Sequence, residues 1–202
     1  MFVQVIRGRV TDPEQLHAAL DRWSEQLAAG AHGWLGSTAG VTEDGRFVAL
    51  ARFESAEAAR RNNDRPEQGQ WWMETSKLIS GEATFRDSTD VTVDVYGDPD
   101  KATFVQVMQG GTSDPDRVRE LMAQNPEEWA AFRPDVIGSV AMEYEGGAYV
   151  SAMYFTSEQA AREGERQQPP PQLKAQMEEM SQLSVGEPEF LDLRQPWLYS
   201  PR

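Results

Sequence analysis

The chain contains no cysteine and only two histidines, His17 and His32. Without cysteine, a disulfide framework, a thiolate nucleophile and a zinc–thiolate site are all excluded. A glycine-rich phosphate loop, metal-ligand spacing and a nucleophile triad are also missing from the sequence. We therefore expect a protein that works without a metal ion or another cofactor.

Basic residues are also in deficit, because 19 Lys and Arg face 33 Asp and Glu and give a net charge of −14. Residues 1–100 carry 10 basic and 17 acidic groups, and residues 101–202 carry 9 and 16, so neither half has a positive excess. Nucleic acid and anionic membrane surfaces both require a positive footprint. No apolar run approaches 18 residues, and the N-terminus does not resemble a signal peptide. We expect a soluble, cytoplasmic protein that binds neither nucleic acid nor membrane.

What the chain does have is an internal duplication. The tetrapeptide FVQV occurs at Phe2–Val5 and returns 102 positions later at Phe104–Val107. The same register relates further pairs of identical residues: Gly8 and Gly110, Asp12 and Asp114, Gly36 and Gly138, Phe53 and Phe155, Arg60 and Arg162. A unit of about 100 residues is too long for a solenoid repeat. We expect a duplicated small domain, with repeats at 1–95 and 103–202 and a linker at 96–102.

Each repeat shows the pattern β-α-β-β-α-β. Thr11-Asp12-Pro13 is typical of a helix start, Glu43-Asp44-Gly45 is typical of a hairpin turn, and 82–95 is predicted as one extended strand. In the second repeat a helix is predicted over 115–132. Such a unit forms a four-stranded antiparallel sheet with helices on one face. Because the strands carry apolar residues on both faces, we predict an α+β protein in which two tandem ferredoxin-like repeats form an intramolecular dimeric α/β-barrel.

The N-terminal strand, the strand-to-helix segment Ala51–Ala58 and the tryptophan-containing later helix resemble the antibiotic biosynthesis monooxygenase-like family of the dimeric α/β-barrel superfamily. The resemblance covers both repeats and implies a single-chain version of the family's dimer. That family includes cofactor-free oxygenases of polyphenolic polyketides, haem-degrading proteins and members with no assigned activity. The haem-degrading branch has a histidine in the later helical region and an asparagine in the first strand, and this chain has neither.

The cofactor-free oxygenases use asparagine, tryptophan and arginine around the substrate, and the first repeat supplies these residue types. The resemblance therefore implies a catalytic set of Asn62, Asn63, Trp72 and Arg86. Large aromatic residues on the inner side of a sheet favour a pocket for a flat ligand. We accordingly predict Trp34, Trp71 and His32 as substrate-binding residues.

Each of these residues also has a structural interpretation. Trp71 and Trp72 face Gln176 and Met177 in the second repeat, yet both also sit at core spacing with Leu78 and Ile79. The asparagines are typical of caps and turns, and an arginine in a strand typically forms a salt bridge. His17 is interpreted as a solvated residue on a helix surface. In the second repeat, the Tyr and Met residues are interpreted as core or interface, or as a second ligand site: Tyr144, Tyr149, Tyr154, Met142 and Met153.

The leading hypothesis is cofactor-independent oxygenation of an electron-rich aromatic or polyketide-like molecule in a pocket of the first repeat. There the substrate carbanion would activate dioxygen, and the protein would supply orientation and anion stabilisation. The alternative is a non-catalytic protein that binds small molecules or acts as a scaffold. A homodimer of the two-repeat chain remains open.

Overall fold

The computed structural model describes residues 1–201 and divides into two compact units. One unit comprises Met1–Val91 together with the C-terminal segment from Gln195, and the other comprises Thr92–Arg194. Each contains one five-stranded antiparallel sheet with helices. The predicted α+β class and the two tandem ferredoxin-like repeats are thereby confirmed. The barrel and the boundaries at 1–95, 96–102 and 103–202 stay predictions.

In the first unit the sheet has the strand order β10-β2-β3-β1-β4. Its strands are β1 (Phe2–Val10), β2 (Trp34–Val41), β3 (Arg46–Phe53), β4 (Ile79–Ser88) and β10 (Trp197–Tyr199). Its helices are α1 (Pro13–Gln26), α2 (Ala56–Asn63) and α3 (Pro66–Thr75). The predicted helix start is confirmed, because the Asp12 side chain accepts a hydrogen bond from the Gln15 backbone N–H and Pro13 opens the first turn.

In the second unit the strand order is β5-β7-β8-β6-β9. Its strands are β5 (Val91–Val95), β6 (Phe104–Gly111), β7 (Val136–Glu143), β8 (Ala148–Phe155) and β9 (Glu189–Leu193). Its helices are α4 (Pro115–Met122), α5 (Pro126–Phe132), α6 (Glu158–Glu165) and α7 (Pro171–Leu183). Among the described residues, no helix of either unit is long and apolar enough to cross a membrane.

The strand predicted over 82–95 is wrong as a single element. The chain turns after Ser88, whose hydroxyl accepts from the Asp90 backbone N–H and donates to the Asp90 carbonyl. As a result β4 lies at the edge of the first sheet and β5 at the edge of the second. The helix predicted over 115–132 is likewise two helices, because Asn125 takes left-handed dihedral angles and Pro126 starts a new first turn.

The C-terminal segment forms strand β10. It pairs with β2 through Trp197 opposite Ala39 and Tyr199 opposite Ser37. Strand β10 thus becomes the outer strand of the first sheet. It brings two further aromatic side chains to the edge of that sheet.

Two apolar clusters lie between the first sheet and its helices. One is built around Phe2, Trp34 and Phe53, and the other around Leu16 and Phe47. The sheet residues of both clusters lie on the same face of their strands, by the two-residue alternation of a strand. Residues of the opposite face are also buried: Val3, Val5, Val48 and Leu50. Both faces of the sheet are therefore apolar, as the sequence pattern indicated.

Candidate functional site

The candidate site is a row of five side chains that crosses the helix-facing side of the first sheet. Strand register places them side by side in the order Asp87, Gln4, Ala51, Ser37 and Tyr199. Asp87 is exposed and the other four are half-buried. The row runs between the two apolar clusters, since the strand neighbours of its four half-buried members on this face belong to one cluster or the other. We call this set the polar row.

A β-bulge sets the geometry at one end of the polar row. The pairing of β2 with β3 shifts between Trp34 and Gly36, and Gly36 has a φ of +125° that favours glycine. In a regular strand, residues 34 and 37 would point to opposite faces. The bulge brings them to one face, and the Trp34 indole N–H donates to the Ser37 hydroxyl at 3.0 Å.

Each polar side chain of the row has a defined partner. The Gln4 amide donates to Asp87 Oδ1 at 2.9 Å, and the Tyr199 hydroxyl donates to Asp21 Oδ1 of helix α1 at 2.8 Å. Burial, together with this bond and the charge of Asp21, raises the pKa of Tyr199 far above its ordinary value. Tyr199 therefore stays protonated at neutral pH.

The second unit contains an equivalent row that is closed. Gln106 donates to Asp192 at 3.0 Å, as Gln4 does to Asp87. Met153 replaces Ala51 and packs against the apolar cluster of Phe104 and Phe155. A Met side chain thus lies where the first unit has only the methyl group of Ala51.

A guanidinium completes the closure of the second row. Arg162 forms an ion pair with Asp192 and lies 5.2 Å above the centre of the Phe104 ring. Its counterpart in the first repeat, Arg60, is exposed. Asp87 keeps Gln4 as its hydrogen-bond partner. The two rows therefore differ: the first has an exposed aspartate and a small alanine, and the second has an ion-paired aspartate and a methionine.

Trp71 has a structural contact that its counterpart shares. The Trp71 indole N–H donates to the Ala19 carbonyl of α1 at 3.0 Å. In the second unit, the Gln176 amide donates to the carbonyl of Leu121, the equivalent residue of α4. Because two different side chains make the same bond, position 71 is where α3 is fastened to α1.

The indoles of the first unit form a continuous series of ring contacts. Trp23 lies 5.1 Å from Trp34 and 6.2 Å from Trp71, and Trp71 lies 6.0 Å from Trp72 between ring centres. Trp72 meets Phe85 edge-on at 5.4 Å and packs against the cluster around Leu16 and Phe47. The structure thus brings together the predicted residues Trp34, Trp71 and Trp72, with Trp23 joining them.

The two predicted asparagines lie at the end of helix α2. Asn62 is buried, and its side-chain carbonyl accepts from Arg65 Nη1 at 2.9 Å. The same guanidinium nitrogen donates to the Leu27 carbonyl at 3.1 Å. Asn62 therefore holds Arg65 against the end of α1, whereas Asn63 is exposed.

The remaining predicted residues, Arg86 and His32, lie on strand β4 and in the turn before β2. Arg86 follows Phe85 on β4, and strand alternation directs it to the face opposite the helices. His32 is exposed in the turn that precedes β2. Catalytic and binding roles for these residues stay predictions.

His17 has a more specific environment than a solvated helix surface provides. Its ring stacks on the Trp197 indole with centres 4.5 Å apart and an angle of 5° between the planes. Its Nε2 lies 3.6 Å from Asp21 Oδ1, the oxygen that also accepts from Tyr199. His17 and Asp21 thus attach strand β10 to helix α1.

Two surface depressions lie outside the polar row. One, of about 430 Å³, is lined by Asp116, Arg119 and Glu120 of α4. The other, of about 250 Å³, lies between α1 and α3 and is lined by residues that include Arg22, Trp71 and Glu74. Within residues 1–201, no group of three or more His, Cys, Asp or Glu side chains is arranged to hold a metal ion.

Sequence reasoning missed Gln4, Ser37, Ala51, Asp87 and Tyr199 as site residues. Gln4 and Asp87 recur in both repeats, so a comparison of residue types does not single them out. The available signal was Ala51, because its counterpart Met153 is much larger at the same strand position. A small residue that aligns with a large one in the other repeat indicates a position at which the two repeats pack differently.

Comparison with solved structures establishes the fold. A candidate monooxygenase from Lactobacillus acidophilus NCFM is similar with a TM-score of 0.76 and 11% identity, covering 98% of this chain and 95% of its own. A candidate monooxygenase from Fusobacterium nucleatum subsp. nucleatum ATCC 25586 gives 0.75 and 10%, covering 98% and 94%. An anthrone oxidase-like protein gives 0.66 and 14%, covering 98% and 93%. The chain has the fold of these proteins, which agrees with the tandem monooxygenase-like fold that the resemblance implied.

Sequence comparison adds no assignment to this fold. No protein-family model matches the sequence, and none of the curated proteins does.

Proposed function

We propose that the polar row of the first unit binds a flat aromatic molecule, and that the chain is a cofactor-independent monooxygenase for it. The observation that carries the proposal is the contrast between Ala51 and Met153 at equivalent positions. We take the smaller side chain of Ala51 to leave room for a ligand over the polar strip between the two apolar clusters. Ligand sites in proteins combine apolar walls with a few placed polar groups in this way.

The row suits a planar ligand because its floor and its ends differ. Ala51 at the centre gives a small, flat contact surface, and aromatic residues lie on both sides, with Trp34 in one cluster and Trp72 at the other. Aromatic rings contribute large contact area with a defined stacking geometry. The polar groups of Gln4, Ser37 and Asp87 would set the ligand's orientation.

The proposed reaction requires a substrate whose carbanion can reduce dioxygen directly, without a cofactor. Loss of a proton from an activated CH₂ group gives a carbanion, which transfers an electron to O₂, and the resulting radical pair combines to a hydroperoxide. Loss of water then leaves a carbonyl, so that R–CH₂–R′ and O₂ give R–CO–R′ and H₂O. The protein's part is to orient the substrate and to stabilise the enolate oxygen.

Ser37 has the contacts to provide that stabilisation. Its oxygen already accepts from the buried Trp34 indole N–H, and this leaves the serine proton for a ligand oxygen. A hydroxyl that accepts one hydrogen bond donates a stronger second one. The roles suggested for Asn62, Asn63, Arg86 and His32 remain separate proposals, and Asn62 already has a structural partner.

Binding without chemistry is the second candidate, and the packing of α3 favours it. Trp71 is bonded to the Ala19 carbonyl, and Trp72 packs on the core and on Phe85. Both indoles therefore have packing roles. This leaves fewer side chains near the polar row that could take part in catalysis.

The test exchanges the residue types of the two repeats at positions 51 and 153. Ala51→Met copies the closed row into the first unit, and Met153→Ala is the matched control. The probe is 1,8-dihydroxyanthrone, with binding followed by tryptophan fluorescence quenching and turnover by oxygen uptake and appearance of the quinone. Ala51→Met should abolish saturable quenching and oxygen uptake, while Met153→Ala should retain both.

The outcomes separate the two candidates. Saturable quenching without oxygen uptake above the rate in buffer would support binding alone and exclude this oxygenase activity. Equal binding by the wild type and Ala51→Met would show that the polar row is not the site.

A further inference from the structure

The hydrogen bonds already made inside the polar row leave different hydrogen-bonding groups for a ligand at its two ends. At the β4 end, one N–H of the Gln4 amide donates to Asp87 Oδ1. What remains there is the second N–H and the carbonyl oxygen of Gln4, together with the second carboxylate oxygen of Asp87. A carboxylate at neutral pH has acceptors only. Asp87 can therefore only accept hydrogen bonds from a ligand.

Toward β10, Ser37 supplies a hydroxyl donor. The Ser37 oxygen accepts from Trp34 at 3.0 Å, so its own proton is available to a ligand. Ser37 therefore offers a ligand one donor at a position where the neighbouring Ala51 offers no polar group.

The two ends are separated by a distance that suits a fused-ring molecule. Asp87 and Ser37 lie on β4 and β2, with β1 and β3 between them. Neighbouring strands are about 4.8 Å apart, so three spacings give about 14 Å between the backbones at the two ends. The side chains at both ends extend toward the centre of the row and shorten this distance. The remaining span matches the length of a short polycyclic ligand.

We propose that Asp87 and Ser37 determine specificity: the row selects a planar polycyclic ligand with a hydroxyl donor at the β4 end and a carbonyl or phenolate acceptor at Ser37. This rests on the proposed binding function and adds the direction in which the ligand lies. In the second unit Arg162 neutralises Asp192, so the same selectivity is absent there. A bound ligand that lacks the donor would displace water from the second Asp87 carboxylate oxygen without replacing its hydrogen bond, which costs affinity.

The experiment compares 2-hydroxyanthraquinone with 2-methoxyanthraquinone at pH 6, where the phenol keeps its proton. Both have the ring carbonyl, and only the first has the donor. Dissociation constants come from tryptophan quenching on the full chain. The wild type should prefer the hydroxy compound by about tenfold or more, and Asp87→Asn should remove the preference, because its amide can donate to the methoxy oxygen. Ser37→Ala should weaken both probes by a similar factor.

Asp192→Asn is the matched control and should keep the wild-type preference. Equal affinity of the wild type for the two probes, with binding intact, would overturn the proposed selectivity and leave the binding function standing. A preference that persists in Asp87→Asn would also overturn it. If neither probe binds the wild type, the proposed function itself fails together with this inference.

Discussion

Replacing Trp72 by alanine distinguishes a packing role from a role in ligand binding. The side chain is half-buried against the cluster around Leu16 and Phe47 and meets Phe85 edge-on at 5.4 Å. A tryptophan buries roughly 200 Å² when fully covered, so about half of that area at ~25 cal/mol per Å² corresponds to about 2–3 kcal/mol. The edge-on contact adds roughly 0.5–1.5 kcal/mol. We expect Trp72→Ala to lower the free energy of unfolding by about 3 kcal/mol.

The matched control is Met177→Ala, at the equivalent position of α7. Met177 is 42% exposed, so its truncation should cost only about 1 kcal/mol. Urea unfolding followed by far-UV circular dichroism measures both variants, and 1,8-dihydroxyanthrone binding is measured on the same samples. If Trp72→Ala unfolds at the wild-type midpoint but loses the ligand, the packing argument is refuted and Trp72 is a pocket wall.

The remaining predictions concern the C-terminal strand and the absence of a haem ligand. The raised pKa of Tyr199 means that the folded state holds a proton above pH ~10 that the unfolded chain releases. The stabilisation that Tyr199 provides is thus complete below pH ~10 and is lost as the pH rises further. Tyr199→Phe should reduce this loss of stability at alkaline pH, measured by urea titrations at several pH values. Deleting residues 195–202 should speed amide hydrogen exchange in β2, whose edge β10 covers; unchanged exchange there would contradict the β10 pairing. Purified protein should show no Soret band after incubation with haemin, and a stoichiometric band would contradict the expected absence of a haem site.

The fold class was predictable because two independent patterns agreed. The repeat offset defined the two copies, and the alternation of apolar residues defined the strands within each copy. The short strands β5 and β10 were not predictable in the same way. Strands of five and three residues have little pattern of their own, and their partners β7 and β2 are distant in sequence. Their position is decided by tertiary pairing, which local propensity does not record.

The candidate site was harder to predict than the fold for a physical reason. Trp71 and Trp72 have large side chains and are replaced by other residue types in the second repeat, so a comparison of the two sequences selects them. Yet Trp71 and Gln176 donate to equivalent backbone carbonyls, so this difference in residue type conceals a shared structural task. Ala51 differs from Met153 by its smaller volume. This difference can be recognised only when the strand register places the two residues at equivalent points of the two sheets.

Differences between the two repeats are therefore best judged by the contacts that equivalent residues make. A difference in residue type alone does not show a difference in role. Gln4 and Gln106 make the same bond to equivalent aspartates, which makes that pair a property of the scaffold. The charge on the pair differs, because Arg162 neutralises Asp192 whereas Asp87 is hydrogen-bonded to the neutral Gln4 amide. A carboxylate paired with a neutral amide keeps its negative charge, and a ligand with a hydrogen-bond donor complements it. We therefore propose that the first unit is the one that binds, and that the second unit retains the fold without the site.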